Sequence, residues 1–249
     1  MQSILYSFLA GLSTVLGSII LLIFGTPGKR IMSVLLGFAG GIMLAISLFE
    51  LLPESMHLGN LVTSLVGFAL GSALMFGVDS LLPHAHMSKG NALHIENPTT
   101  KNGYCKISYK RTGYLILIGI TLHNIPEGLA IGAGLEASPE LGLAIAVAIG
   151  LHNIPEGLAI AGPLKASGMQ TWKVIAYSLI AGLTLVVGTG IGLLIINISP
   201  VLIGVSLSFA AGAMVYIVID DLLPQSYKLH QHLSILGVIL GLMLGFVLF

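Results

Sequence analysis

Residues 122–131, Leu122-His123-Asn124-Ile125-Pro126-Glu127-Gly128-Leu129-Ala130-Ile131, recur unchanged at 151–160 as Leu151-His152-Asn153-Ile154-Pro155-Glu156-Gly157-Leu158-Ala159-Ile160. Each copy lies near the centre of an apolar segment, 113–135 and 141–163. A bilayer-spanning helix needs about 20 such residues. Six further segments qualify, at 4–25, 31–52, 61–82, 174–196, 201–223 and 233–249. Composition agrees. Of the 249 residues, 55% are hydrophobic and 8% charged, against roughly a quarter charged in soluble domains. The mean hydropathy is +1.00, which leaves too little polar surface for a water-soluble body. Only helices or closed barrels satisfy their backbone in lipid, and no segment alternates as a barrel strand does. The sequence predicts one all-α, polytopic membrane domain over 1–249, with eight transmembrane helices.

All ten Lys and Arg fall in the odd connections: Lys29 and Arg30; Lys89, Lys101, Lys106, Lys110 and Arg111; Lys165 and Lys173; and Lys228. The positive-inside rule puts those connections in the cytoplasm and both termini outside. The loop at about 83–112, with His84, His86 and His94, is then cytoplasmic, and its polar composition without a periodic pattern reads as mobile. No charge precedes Lys29, so the first segment reads as a retained helix rather than a cleaved signal. The single cysteine, Cys105, excludes an intrachain disulfide and a CxxC site. A formal net charge of +0 argues against nucleic acid as a partner. Glycines at helical spacing, Gly67 with Gly71 and Gly237, Gly241 and Gly245, read as close helix packing in lipid.

The chemistry sits in the repeated decapeptide. His and Glu four residues apart project from one helix face. Consecutive spans run antiparallel, so the copies face each other across a local pseudo-two-fold axis in the membrane plane, the arrangement of a transporter substrate site. Pro126 and Pro155 have no N–H for the carbonyls of Leu122 and Leu151, which loosens each helix beside its own histidine. Two imidazoles and two carboxylates make a nitrogen-and-oxygen set. That mixture favours zinc and its transition-metal neighbours over calcium or magnesium. A buried charge at the bilayer centre costs at least ~2.5–3.5 kcal/mol, so two glutamates there need a cation or a proton.

The duplicated HNIPEG, the eight spans and the histidine-bearing third loop resemble the ZIP (Zrt/Irt-like) metal transporters, nearest the GufA-like and bacterial zinc-uptake branch. The resemblance covers nearly the whole chain. It implies a multi-pass protein of the cell (plasma or inner) membrane that imports zinc, and also iron, manganese or cadmium, without a catalytic cofactor. It further implies a transport bundle moving against a scaffold, and a homodimer. Carried over by residue, the metal site comprises His123, Glu127, His152 and Glu156, with Met43 as a soft ligand. Asn124 and Asn153 line an adjacent second site. Relatives that place a glutamate on the sixth helix have Leu185 here, so one complete transport site is expected.

Glu50 and Glu54, with His57, lie at the outer end of the second span, where carboxylates concentrate cations. At the inner end stand Asp79, His84 and His86, and Asp220 and Asp221, as a release station; His94, His230 and His232 read as solvated. The sequence reading is of alternating access rather than enzymology. A metalloenzyme would need an open coordination position and a substrate cleft, and there is no HExxH motif. A passive channel on the same ligands fits less well, because tight His/Glu chelation slows release.

Overall fold

Apolar segments this long leave the backbone no partner but itself, and they form eight helices. The computed structural model describes residues 2–81, 85–87, 93–95, 109–196 and 199–248. Its helices are α1 (Gln2–Phe24), α2 (Lys29–Leu58), α3 (Leu61–Leu81), α4 (Tyr109–Ala137), α5 (Pro139–Ala166), α6 (Thr171–Ile196), α7 (Pro200–Leu229) and α8 (Gln231–Leu248). All eight are long and apolar enough to cross a membrane. The third connection shows no periodic pattern in sequence. It holds two short strands, β1 (Ala85–Met87) and β2 (Leu93–Ile95), paired antiparallel with His86 opposite His94. Each strand is an apolar–His–apolar triplet, and Lys89-Gly90-Asn91 lies between them. His84 lies outside the described residues.

Helix ends follow local chemistry. One residue, Ser138, separates α4 from α5, and its hydroxyl accepts a bond from the Leu141 N–H at 3.1 Å, an N-cap that starts α5. Gly168 ends α5 at φ 83°, the left-handed conformation glycine adopts without strain. Helices α2 and α7 run past the span ends at 52 and 223, through Pro53 and Pro224, to Leu58 and Leu229. A π turn makes this work in both. The N–H of Leu52 reaches the Ser47 carbonyl and that of Leu223 the Val218 carbonyl. The wider turn relieves the clash a proline ring makes with the preceding turn. Glu50 and Asp221 lie on these π turns.

The helices pack as two groups of four. In one, α1 packs on α5 and α6, and α4 packs on α5 and α6; in the other, α2 packs on α7 and α8, and α3 on α7. Contacts of α4 with α7 and of α2 with α5 join them. Glycine sets the spacing within the first group. A Cβ on Gly157 would fall on the Thr14 carbonyl, and one on Gly128 on the Leu185 carbonyl. In the second group, a Cβ on Gly71 would strike the Phe209 carbonyl and one on Gly241 the Phe38 carbonyl. The expected small-residue packing of α3 and α8 is therefore observed.

A longer internal repeat underlies this arrangement. At one constant offset Ser7, Ala10, Gly11, Gly17 and Ser18 of α1 match Ser178, Ala181, Gly182, Gly188 and Thr189 of α6. The same offset matches Phe38, Gly41, Met43, Leu52-Pro53 and Ser55 of α2 with Phe209, Gly212, Met214, Leu223-Pro224 and Ser226 of α7. The contacts match too. Ser18 Oγ donates to the Gly157 carbonyl at 2.9 Å, and Thr189 Oγ1 to the Gly128 carbonyl at 2.7 Å. Gly11 and Gly182 face each other. Each helix reverses the one before it, so α1 and α6 run oppositely. The HNIPEG copies lie at the centre of a pseudo-symmetric bundle.

Candidate metal site

Both helices run unbroken through their central prolines, which places the two copies of the motif side by side. His123, Asn124, Glu127, His152, Asn153 and Glu156 are all buried. The pairing is crossed. His123 Nε2 lies 3.2 Å from Glu156 Oε1, and His152 Nε2 lies 3.1 Å from Glu127 Oε1. The pair within one motif is looser, with His152 Nε2 4.0 Å from Glu156 Oε1. His123, Glu127 and Glu156 each present one ligand atom within 4.8 Å of the others.

The hydrogen bonds around the cluster fix which atoms face inward. His152 Nδ1 lies 3.1 Å from the Ala148 carbonyl. A carbonyl only accepts, so Nδ1 carries the proton and Nε2 is the nitrogen turned to the carboxylates. An imidazole held through its other nitrogen is the arrangement that orients a metal ligand. Asn124 donates from Nδ2 to the Ala181 carbonyl at 2.9 Å, and Asn153 to the Ala10 carbonyl at 3.3 Å. Each bond anchors an amide to a neighbouring helix and leaves its Oδ1 over.

Among the described residues, six buried side-chain atoms have no hydrogen-bond partner: Oε2 of Glu127 and Glu156, Oδ1 of Asn124 and Asn153, Thr14 Oγ1 and Ser47 Oγ. All six are oxygens. Buried acceptors are normally satisfied, and four of these belong to the two HNIPEG motifs. A cation beside them resolves two problems at once: it pairs the Oε2 atoms, which have no hydrogen-bond partner among the described residues, and it offsets the desolvation of the carboxylates.

The remaining expected residues divide by position. Met43 is fully buried on α2, and so is its repeat mate Met214 on α7. Glu50 and Glu54 are half-buried toward the far end of α2, and His57 beyond them is exposed. At the other face of the cluster a cavity opens between α3, α4 and α7. It is lined by His123 and Glu156 together with Asp79, Tyr216, Asp220 and Asp221. The structure therefore brings three of the expected release residues into one space with the site. Tyr216 donates its hydroxyl to Asp79 Oδ2 at 3.3 Å, tying α7 to α3, and Gln225 bonds Asp221. His86 pairs through its backbone with His94. Met214, Tyr216, Thr14 and Ser47 were missed in the sequence. Aligning α1–α2 with α6–α7 would have found Met214, while the two lone hydroxyls needed coordinates.

Comparison with known proteins agrees with this geometry. A family model described as "ZIP Zinc transporter" matches residues 80–249. Among curated relatives, the "Zinc transporter ZupT" of Enterobacter sp. (strain 638) is 37% identical over 89% of this chain and 85% of that protein. The protein of the same name from Escherichia coli is 36% identical over 98% of this chain and 95% of its own length. That from Escherichia fergusonii is 35% identical, with 89% and 85% covered.

Proposed function

The chain belongs to the ZIP zinc transporter family, and from that premise we propose that it imports zinc into the cytoplasm through the crossed His/Glu cluster of α4 and α5. Iron, manganese and cadmium are competing cargo of the same site. The observation that carries the reading is the set of unpartnered Oε2 atoms of Glu127 and Glu156, beside two imidazoles, one of which is pinned by the Ala148 carbonyl. His123, Glu127, His152 and Glu156 are the ligands, and Met43 closes the site from α2 with a soft sulfur.

Direction follows from charge. With every Lys and Arg in the odd connections, both termini lie outside, in the cell (plasma or inner) membrane. Glu50 and Glu54 then stand at the entrance, and the cavity holding Asp79, Asp220 and Asp221 faces the cytoplasm. This is an inward-open arrangement. The packing into two groups of four helices supports alternating access by movement of α1, α4, α5 and α6 against α2, α3, α7 and α8. Ligands must be deprotonated to hold metal, so zinc entering the cluster displaces whatever proton the paired glutamates share.

The test is zinc flux into proteoliposomes. H123A and E127A should each abolish saturable uptake while leaving the purified protein monodisperse. Wild-type uptake by either variant overturns the site.

A further inference from the structure

The Thr14 hydroxyl is fully buried in α1 and has no hydrogen-bond partner among the described residues. Its own helix offers the Ala10 carbonyl, one turn back, but that carbonyl accepts from Asn153 Nδ2 at 3.3 Å. The neighbouring Ser18 hydroxyl is engaged with the Gly157 carbonyl and with Ser178 Oγ, at 2.9 and 2.5 Å. Valine would fill the same volume without stranding a hydroxyl in the bilayer interior.

Placement says what the oxygen serves. Ala10, Thr14 and Ser18 recur every four residues and form one stripe of α1. The stripe's two ends touch α5 at Asn153 and at Gly157. Thr14 thus lies over the turn between them, the turn that carries Glu156, and its backbone carbonyl packs on Gly157. The internal repeat isolates the same position. Ser7, Ala10, Gly11, Gly17 and Ser18 all have small or hydroxyl mates in α6, whereas Thr14 is matched by Leu185. Symmetry breaks where the unpartnered hydroxyl stands.

We propose that Thr14 of α1 supplies a hydroxyl oxygen to the transported cation, on the face of the site formed by Asn153 Oδ1 and Glu156 Oε2. The inference rests on the reading of the His/Glu cluster as the transport site. A neutral hydroxyl is a hard donor and favours manganese over cadmium, so Thr14 widens the cargo range toward harder ions. Leu185 denies the mirror-related face any such donor.

Calorimetric titration of the purified full-length protein with Zn²⁺, Mn²⁺ and Cd²⁺ tests this. T14V should weaken Mn²⁺ binding about tenfold, ~1.4 kcal/mol, and Cd²⁺ binding far less. T14S should bind all three ions as the wild type does. T14C, which presents a soft sulfur, should reverse the order by gaining Cd²⁺ affinity and losing Mn²⁺ affinity. A T14V protein with wild-type affinities for all three ions overturns the role of Thr14, as does a uniform loss shared by T14S and T14C. Undiminished binding by an H123A/E127A double variant sinks the underlying site instead, so the two failures are distinguishable.

Discussion

Crossed pairing in the His/Glu cluster makes a prediction that the motif alone does not. A helix with His and Glu four residues apart suggests that each histidine pairs with its own glutamate. The structure places His152 Nε2 at 3.1 Å from Glu127 and 4.0 Å from Glu156. For full charges at an effective dielectric near 20, these separations give attractions of ~5 and ~4 kcal/mol. Desolvation cancels much of both, and only the shorter contact lies within hydrogen-bond reach. Contacting residues couple by about 0.5–3 kcal/mol in double-mutant cycles; we expect ~2 kcal/mol for His152 with Glu127 and under ~1 kcal/mol for His152 with Glu156. In a chain of this size ~1 kcal/mol moves the melting temperature by roughly 2–4 °C. The non-additivity of H152Q with E127Q should therefore be ~4–8 °C. The assay is thermal unfolding of chelator-treated, detergent-solubilised protein for the single and double variants, with H123Q/E156Q as the second crossed pair. Stronger coupling of H152Q with E156Q than with E127Q would refute the crossed geometry, as would additivity within ~0.5 kcal/mol.

Zinc at a hundred times its dissociation constant should stabilise the wild type by ~2.7 kcal/mol, and E127Q/E156Q should show no such rise in melting temperature on zinc addition. G157A places a methyl on the Thr14 carbonyl; overpacking of this kind costs about 1–3 kcal/mol, so its melting temperature should fall by several degrees, whereas G190A, which meets open space, should not shift. Neutralising the cavity beyond the site with D220N/D221N should lower maximal zinc flux in proteoliposomes and leave equilibrium zinc affinity at the His/Glu cluster unchanged; a lost affinity with normal flux would contradict the proposed role of these residues in release.

Eight helices were legible because lipid offers the backbone no alternative partner, so a run of apolar residues is sufficient to specify each. His123, Glu127, His152 and Glu156 were legible for a related reason. Four ionisable groups in mid-bilayer are costly, and their exact duplication marks them as one unit. The helix ends were less so. Pro53 and Pro224 look like stops in sequence, and only the π turns at Ile46–Leu51 and Val218–Leu222 explain how α2 and α7 continue and turn Glu50 and Asp221. Asp79, Asp220 and Asp221 were recognisable as acidic residues near span ends, but their sharing of a cavity with His123 and Glu156 depends on how α3, α4 and α7 pack.

What the sequence determined by itself was therefore what local energetics dictates: the number of spans, their charge asymmetry, and a paired imidazole–carboxylate motif suited to a divalent metal. What tertiary structure decided was which atoms meet. Crossed His–Glu pairs, amides anchored on Ala10 and Ala181, and the stranded oxygens of Thr14 and Ser47 arise from contacts between helices distant in the chain. Such contacts are set by glycine-spaced packing and by the pseudo-symmetry of the bundle, and no periodicity within a single helix encodes them.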